Sequence, residues 1–197
     1  MRVSFLCLVT FHLAHSLQSA ANRTLNFKIQ TPDNESLGAW FVFSDPYYRS
    51  LPSPPHDPSA HVIPALKHSP VVLFFHGNAA TRAFSARVRH YQMFTSRLGA
   101  NVLAIDYRGF ADSTGKPSEV GLVRDARAAF DWLVAQGKRA EDILIVGHSL
   151  GTGVSGQLGA ELARDGVECK GIVFLSVSLV FVGRQKLICS IAFLEHQ

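Results

Sequence analysis

The sequence predicts an α/β fold, a mostly parallel sheet with helices on both of its faces. Three observations carry this. Short apolar runs recur at 71–75, 101–107, 142–146 and 171–175, each with the length and composition of a strand covered on both sides. Between them, apolar residues fall at helical spacing: Phe84, Val88, Tyr91, Met93, Phe94 and Leu98 in one stretch, Leu122, Ala126, Ala129, Phe130 and Leu133 in the next. Strands alternating with helices in this way pair in parallel through right-handed crossovers. Finally, the pentapeptide Gly147-His148-Ser149-Leu150-Gly151 joins the run 143–146 to a small-residue helix at 152–164.

At 197 residues the chain is long enough for one domain with a substantial core. Its formal charge of +4 is spread without a Lys/Arg block, so nucleic-acid binding has no support. Cys7, Cys169 and Cys189 are too few and too irregularly placed for a disulfide framework, and no metal-ligand spacing occurs. Neither a metal nor a cofactor is expected.

Residues 1–21 read as a signal-like leader. Arg2 precedes an apolar core at 3–14, and Ser19 and Ala21 suit a signal-peptidase site. The core is too short to span a bilayer. Two sequons follow, Asn22-Arg23-Thr24 and Asn34-Glu35-Ser36, in keeping with a secretory-pathway address. The runs 24–30 and 37–43 read as an antiparallel pair at the sheet edge, turned by Thr31-Pro32-Asp33-Asn34. The stretch 50–69 is rich in proline and histidine and reads as an extended surface excursion. Its His56, His61 and His68 lack regularly spaced partners for a metal.

The buried strand 71–75 ends in His76-Gly77-Asn78. A helix over 84–98 stops at Gly99, a C-cap residue. The strand 101–107 leads into a Gly/Ser/Pro-rich link at 111–118, then a helix at 119–135. Asp106 and Arg108, at a strand end, read as loop hydrogen-bonding groups.

A strand–turn–helix carrying Gly-x-Ser-x-Gly has a chemical meaning. A serine at so tight a turn takes a strained backbone conformation that pushes its oxygen outward. Gly147 and Gly151 leave room for strand and helix to pass. The Leu150 N–H then points to where an oxyanion would form, at a helix N-terminus that favours negative charge. The Asn78 N–H is the candidate second donor, with Gly77 allowing the loop to fold back. His76 reads as a loop tie and His148 as elbow support.

The blocks His76 to Arg82, Asp106 to Ser113, Phe130-Asp131-Trp132 and Gly147 to Gly153 occur in this order. Together they resemble the α/β-hydrolase-domain proteins related to the lysophosphatidylserine and monoacylglycerol lipases of the endoplasmic reticulum. They also resemble the wider serine-aminopeptidase-like branch of the α/β-hydrolase fold. The resemblance implies a luminal, peripherally membrane-associated serine esterase on lipid or small ester substrates. Ser149 would be its nucleophile, and the Asn78 and Leu150 N–H groups its oxyanion donors.

The pattern breaks after Ser176, where Val177-Ser178-Leu179-Val180-Phe181 replaces the expected proline and aromatic residue. Triad order in this fold is Ser, then acid, then His. The only Asp after Ser149 is Asp165 and the only His is His196, and neither suits the role. The expectation is a partial α/β-hydrolase domain at 22–176, truncated after about the sixth strand, with a non-family tail at 177–197. Such a chain would have little esterase activity by itself. The alternatives are a noncatalytic binding remnant and a serine-aminopeptidase-like hydrolase.

Overall fold

The computed structural model describes residues 22–176. The leader, the tail, Cys7, Cys189 and His196 lie outside them. In chain order the elements are β1 (Thr24–Gln30), β2 (Ser36–Val42), α1 (Asp45–Ser50), α2 (Val62–His68), β3 (Val71–Phe75), α3 (Ser85–Arg97), β4 (Asn101–Ile105), α4 (Glu119–Ala135), β5 (Ile143–His148), α5 (Leu150–Arg164) and β6 (Gly171–Leu175). The sheet runs β1-β2-β4-β3-β5-β6. β1–β2 and β2–β4 are antiparallel, and β4–β3, β3–β5 and β5–β6 are parallel. This is the α/β-hydrolase architecture expected, with its antiparallel pair at the edge.

Every residue of β3 and β4 is buried. Because side chains alternate along a strand, each apolar run serves two layers. Val71, Leu73, Phe75, Leu103, Ile105, Ile143 and Ile145 meet α4 and α5 through Leu122, Phe130, Leu133, Val154 and Leu158. On the other face Val72, Phe74, Val102, Ala104 and Val146 meet Val88, Tyr91 and Phe94 of α3. Ser118 caps α4, its hydroxyl accepting from Gly121 N. Gly99, at φ 58°, turns the chain out of α3.

The stretch 50–69 is not an extended excursion. It folds into a 3₁₀ turn (Pro58–His61) and α2, which buries Val62, Ala65 and Leu66. Proline is tolerated here because Pro58 opens the turn behind the Asp57 cap. Pro64 falls in the first turn of α2, where an N–H has no intrahelical acceptor to lose. His61 pairs with the Tyr47 hydroxyl and His68 with Ser69 Oγ. No helix among the described residues is long and apolar enough to cross a membrane.

A polar network stitches the edge hairpin to the loops at the carboxyl ends of the central strands. Arg82, buried after β3, donates to Asp106, to Asp112 Oδ1 at 2.7 Å and to Asn26 Oδ1 at 2.9 Å. Lys28 of β1 lies 2.8 Å from Asp112 Oδ2. Burial pushes the Asp112 carboxyl up, but Arg82 and then Lys28 outweigh it and hold it at about 2, against an ordinary 3.8. A depressed carboxyl contributes stability above its unfolded pKa and loses it as pH falls through the folded one. Asp112 is partly exposed, so the contribution is about 1–2 kcal/mol. Urea denaturation at pH 5 and pH 2 should show wild type losing about that much more than D112N. Equal losses would remove Asp112 from the account.

Candidate active site

β5 hands over to α5 through a single residue. Ser149 has φ 52° and ψ −114°, a conformation that L-residues rarely adopt and that costs about 1–3 kcal/mol. The adjoining backbone explains why it is imposed. A Cβ on Gly147 would stand 2.3 Å from Gly151 O and 2.4 Å from Ser155 Oγ. A Cβ on Gly151 would stand 2.1 Å from Phe75 O. Helix and strands therefore touch backbone to backbone. Ser149 N donates to Leu175 O at 3.0 Å, and Ser149 O accepts from Thr152 N and Thr152 Oγ1 at 2.9 and 2.6 Å. The Ser149 hydroxyl does not cap the helix. Leu150 is the first helical residue, so its N–H has no intrahelical acceptor.

The register Phe75↔Gly147 brings the end of β3 level with the elbow. Gly77 then passes directly over it: a Cβ there would lie 3.1 Å from both Ser149 Cβ and His148 Nδ1. His76 is wholly buried. Its Nδ1–H donates to Gly77 O at 2.8 Å, while Nε2 lies 2.9 Å from Asp106 Oδ1, off the line of a hydrogen bond. Asn78 is exposed, and its Oδ1 accepts from Ala79 N at 2.9 Å. Ala79 and Ala80 both have positive φ, 58° and 55°. Tyr107 fastens the start of the loop by donating to His76 O at 2.9 Å.

The structure thus gathers His76, Gly77, Asn78, Gly147, His148, Ser149, Leu150 and Gly151 at one end of the sheet. His148 lies against His90, ring centroids 5.6 Å apart. Burial, then the charge of Arg87, lowers its pKa, so it is neutral near pH 7. Asp165 stands elsewhere. It is the C-cap of α5 and pairs with Arg127, about 24 Å from the elbow by the rise of a helix. Asp106 and Arg108 hold loops; Arg108 bridges Asp33 and Asp125. Among the described residues no group of three or more His, Cys, Asp or Glu is placed to hold a metal.

Sequence reasoning passed over Arg87. It is 6% exposed and grips the loop after β3, with Nη2 donating to Gly77 O and Ala79 O at 2.8 and 2.6 Å and Nη1 to Thr81 O at 2.6 Å. The available signal was its position. Arg87 lies in the stripe of α3 with Tyr91 and Phe94, at i+4 and i+7, where a charge needs an internal partner.

Strain at Ser149 is measurable. Ser149→Gly should raise unfolding free energy by about 1 kcal/mol, because glycine adopts positive φ without the steric cost. Gly151→Ala should lower it by about 1–3 kcal/mol or prevent folding, since the Phe75 carbonyl cannot yield. A Ser149→Gly chain no more stable than wild type in urea would show that the turn stores no strain.

The alpha/beta hydrolase family model matches residues 72–192, a span that runs past residue 176 into the stretch read above as a tail. The lysophosphatidylserine lipase ABHD12 of Rattus norvegicus is 36% identical over 137 residues, covering 70% of this chain and 33% of that protein. Its counterpart from Danio rerio is 34% identical over 155 residues, 79% of this chain and 40% of that one. Protein ABHD12B of Homo sapiens is 33% identical over 150 residues, 76% and 40%. The chain therefore spans between a third and two-fifths of the length of these relatives. An alpha-beta hydrolase from Vibrio vulnificus superposes with a TM-score of 0.62 at 23% identity, over 84% of this chain and 49% of that one. The Pyrococcus furiosus esterase Pf2001 does so at 0.57 and 21%, over 83% and 52%; these two likenesses bear on fold. Sheet order and family match agree, and the chain belongs to the alpha/beta hydrolase family.

Proposed function

We propose that this chain carries the nucleophile and oxyanion donors of a serine esterase acting on single-chain lipid esters, a lysophospholipid or a monoacylglycerol. The observation that carries the reading is Ser149 at φ 52° between β5 and α5, with the Gly77–Asn78 peptide passing beside it. Ser149 Oγ attacks the ester carbonyl carbon, and its proton passes to a base. The carbonyl oxygen becomes an oxyanion that accepts from the Leu150 and Asn78 N–H groups. Collapse expels the alcohol, which takes up that proton, and water then releases the acid. The substrate class follows the curated relatives, which are named as lysophosphatidylserine lipases.

The reading assigns acid and base to sequence outside the described residues. Within them, His76 is buried with Nδ1 committed to Gly77, and Asp165 is at the wrong end of α5. A serine hydroxyl without a positioned base is a poor nucleophile, and losing a triad member costs about 10⁴- to 10⁶-fold. The test is labelling by a fluorophosphonate probe of the 197-residue chain and of the chain extended by a relative's C-terminal segment. Labelling abolished by Ser149→Ala is expected in the extended form and nearly absent in the other. Labelling that survives Ser149→Ala would end the assignment; equal labelling of both forms would move the base to His76 or His148.

The same reading places the protein in the secretory pathway, on the lumenal side of the endoplasmic reticulum and against its membrane. Asn22 and Asn34 of the two sequons are both exposed, as glycosylation requires. Expressed in animal cells, the chain should lose mass on endoglycosidase treatment and fractionate with membranes. An unshifted mass in a cytosolic fraction would refute the address.

A further inference from the structure

We infer that Arg87 is a positioning residue for the oxyanion site, holding the Gly77–Asn78 peptide by its oxygen so that the Asn78 N–H is presented over Ser149. The inference rests on the esterase reading above. Arg87 is a buried cation without a carboxylate in ion-pair range among the described residues. Backbone carbonyls surround it instead: Gly77 O at 2.8 Å, Asn78 O at 3.3 Å, Ala79 O at 2.6 Å and Thr81 O at 2.6 Å. The Phe84 ring also faces it, its centroid 5.8 Å from Cζ, but burying a guanidinium without a carboxylate partner is costly. Arginine nonetheless suits the task, because its fork of fixed donors spans several acceptors and stays charged.

The geometry of the peptide does the rest. The Gly77–Asn78 bond is trans, so its N–H points opposite to its C=O. The oxygen is held from one side by Arg87 Nη2 and by His76 Nδ1, which turns the Asn78 N–H away from both. Gly77 lies against Ser149 Cβ, so that N–H emerges beside the elbow. The next N–H along, that of Ala79, is taken by Asn78 Oδ1; the Asn78 N–H makes no hydrogen bond among the described residues. Two donors on one peptide oxygen also polarise the peptide and strengthen its N–H as a donor. The charge reaches the elbow, since Arg87 is second only to burial in lowering the pKa of His148.

R87M, R87K and R87A test this by two independent readouts. The first is ester turnover in whichever form shows Ser149-dependent labelling. R87M should lower kcat by about 10- to 100-fold, somewhat less than deleting an oxyanion donor outright, with KM nearly unchanged. R87K should fall between R87M and wild type. Added guanidinium should restore part of the R87A rate, a rescue that a merely unstable variant would not show. The second readout is the backbone amide resonances of the 197-residue chain. Those of Asn78, Ala79 and Ala80 should shift in R87M while those of Val146 and Val154 stay in place. Wild-type kcat in R87M, or unshifted Asn78–Ala80 amides, would overturn the inference. Activity that survives Ser149→Ala would sink the esterase reading instead, and the amide shifts would still decide whether Arg87 holds the loop.

Discussion

The first turn of α5 lies so close to β3 that a Cβ on Gly151 would stand 2.1 Å from the Phe75 carbonyl oxygen. That approach governs the geometry around it. To bring the helix start under the strand ends, the chain must reverse within one residue, and Ser149 takes the positive φ that such a reversal needs. Gly147 must also lack a side chain, because Ser155 Oγ and the Gly151 carbonyl fill the space where its Cβ would be. With β3 and β5 in parallel register up to Phe75↔Gly147, the loop leaving β3 has to emerge beside the serine. The juxtaposition of Gly77 with Ser149 is therefore a consequence of sheet register and helix contact.

That loop is held by two buried arginines that solve the same electrostatic problem differently. Arg82 is neutralised by carboxylates: it pairs with Asp106 and Asp112 and lies over the Trp40 ring. Burial works against its charge, and the two aspartates more than compensate. Arg87 has carbonyl dipoles and the face of the Phe84 ring but no carboxylate partner among the described residues, and burial lowers its pKa. The division has a structural logic. Carboxylates anchor the loop to the rest of the domain, whereas carbonyl contacts orient the individual peptides within it.

The anchoring reaches the far edge of the sheet. Asn26 and Lys28 on β1 both join the Arg82–Asp112 network. Gly38 on β2 faces it so closely that a Cβ would lie 2.2 Å from Asp112 Oδ1. Asp106 also lies against His76, its Oδ1 2.9 Å from Nε2 without a hydrogen bond, and the other ring nitrogen of His76 holds Gly77. The antiparallel hairpin thus buttresses a loop three strands away. A buried network of hydrogen bonds and close polar contacts resists displacement, because each hydrogen-bonded member loses its partner if it moves.

The sequence by itself determined the elements and their order. Apolar runs too short for helices, stretches of helical period between them, and an Asx-rich turn before β2 are all local signals, and the sheet was legible from them. So was the backbone crowding at the elbow, because glycine at 147 and 151 is a local mark of close approach. The stretch 50–69 was misread because its prolines are counted equally wherever they stand. Two of them sit where a helical turn tolerates proline, and burial of Val62, Ala65 and Leu66 settles the conformation. Only the tertiary structure decided what surrounds the serine. Arg82 finds Asp106 at a separation of 24 residues and Asn26 at 56, and Arg87 finds carbonyls, which every residue has and no sequence distinguishes. Which carbonyl turns inward depends on φ and ψ in a loop whose path is set by strands and a helix packed from elsewhere in the chain.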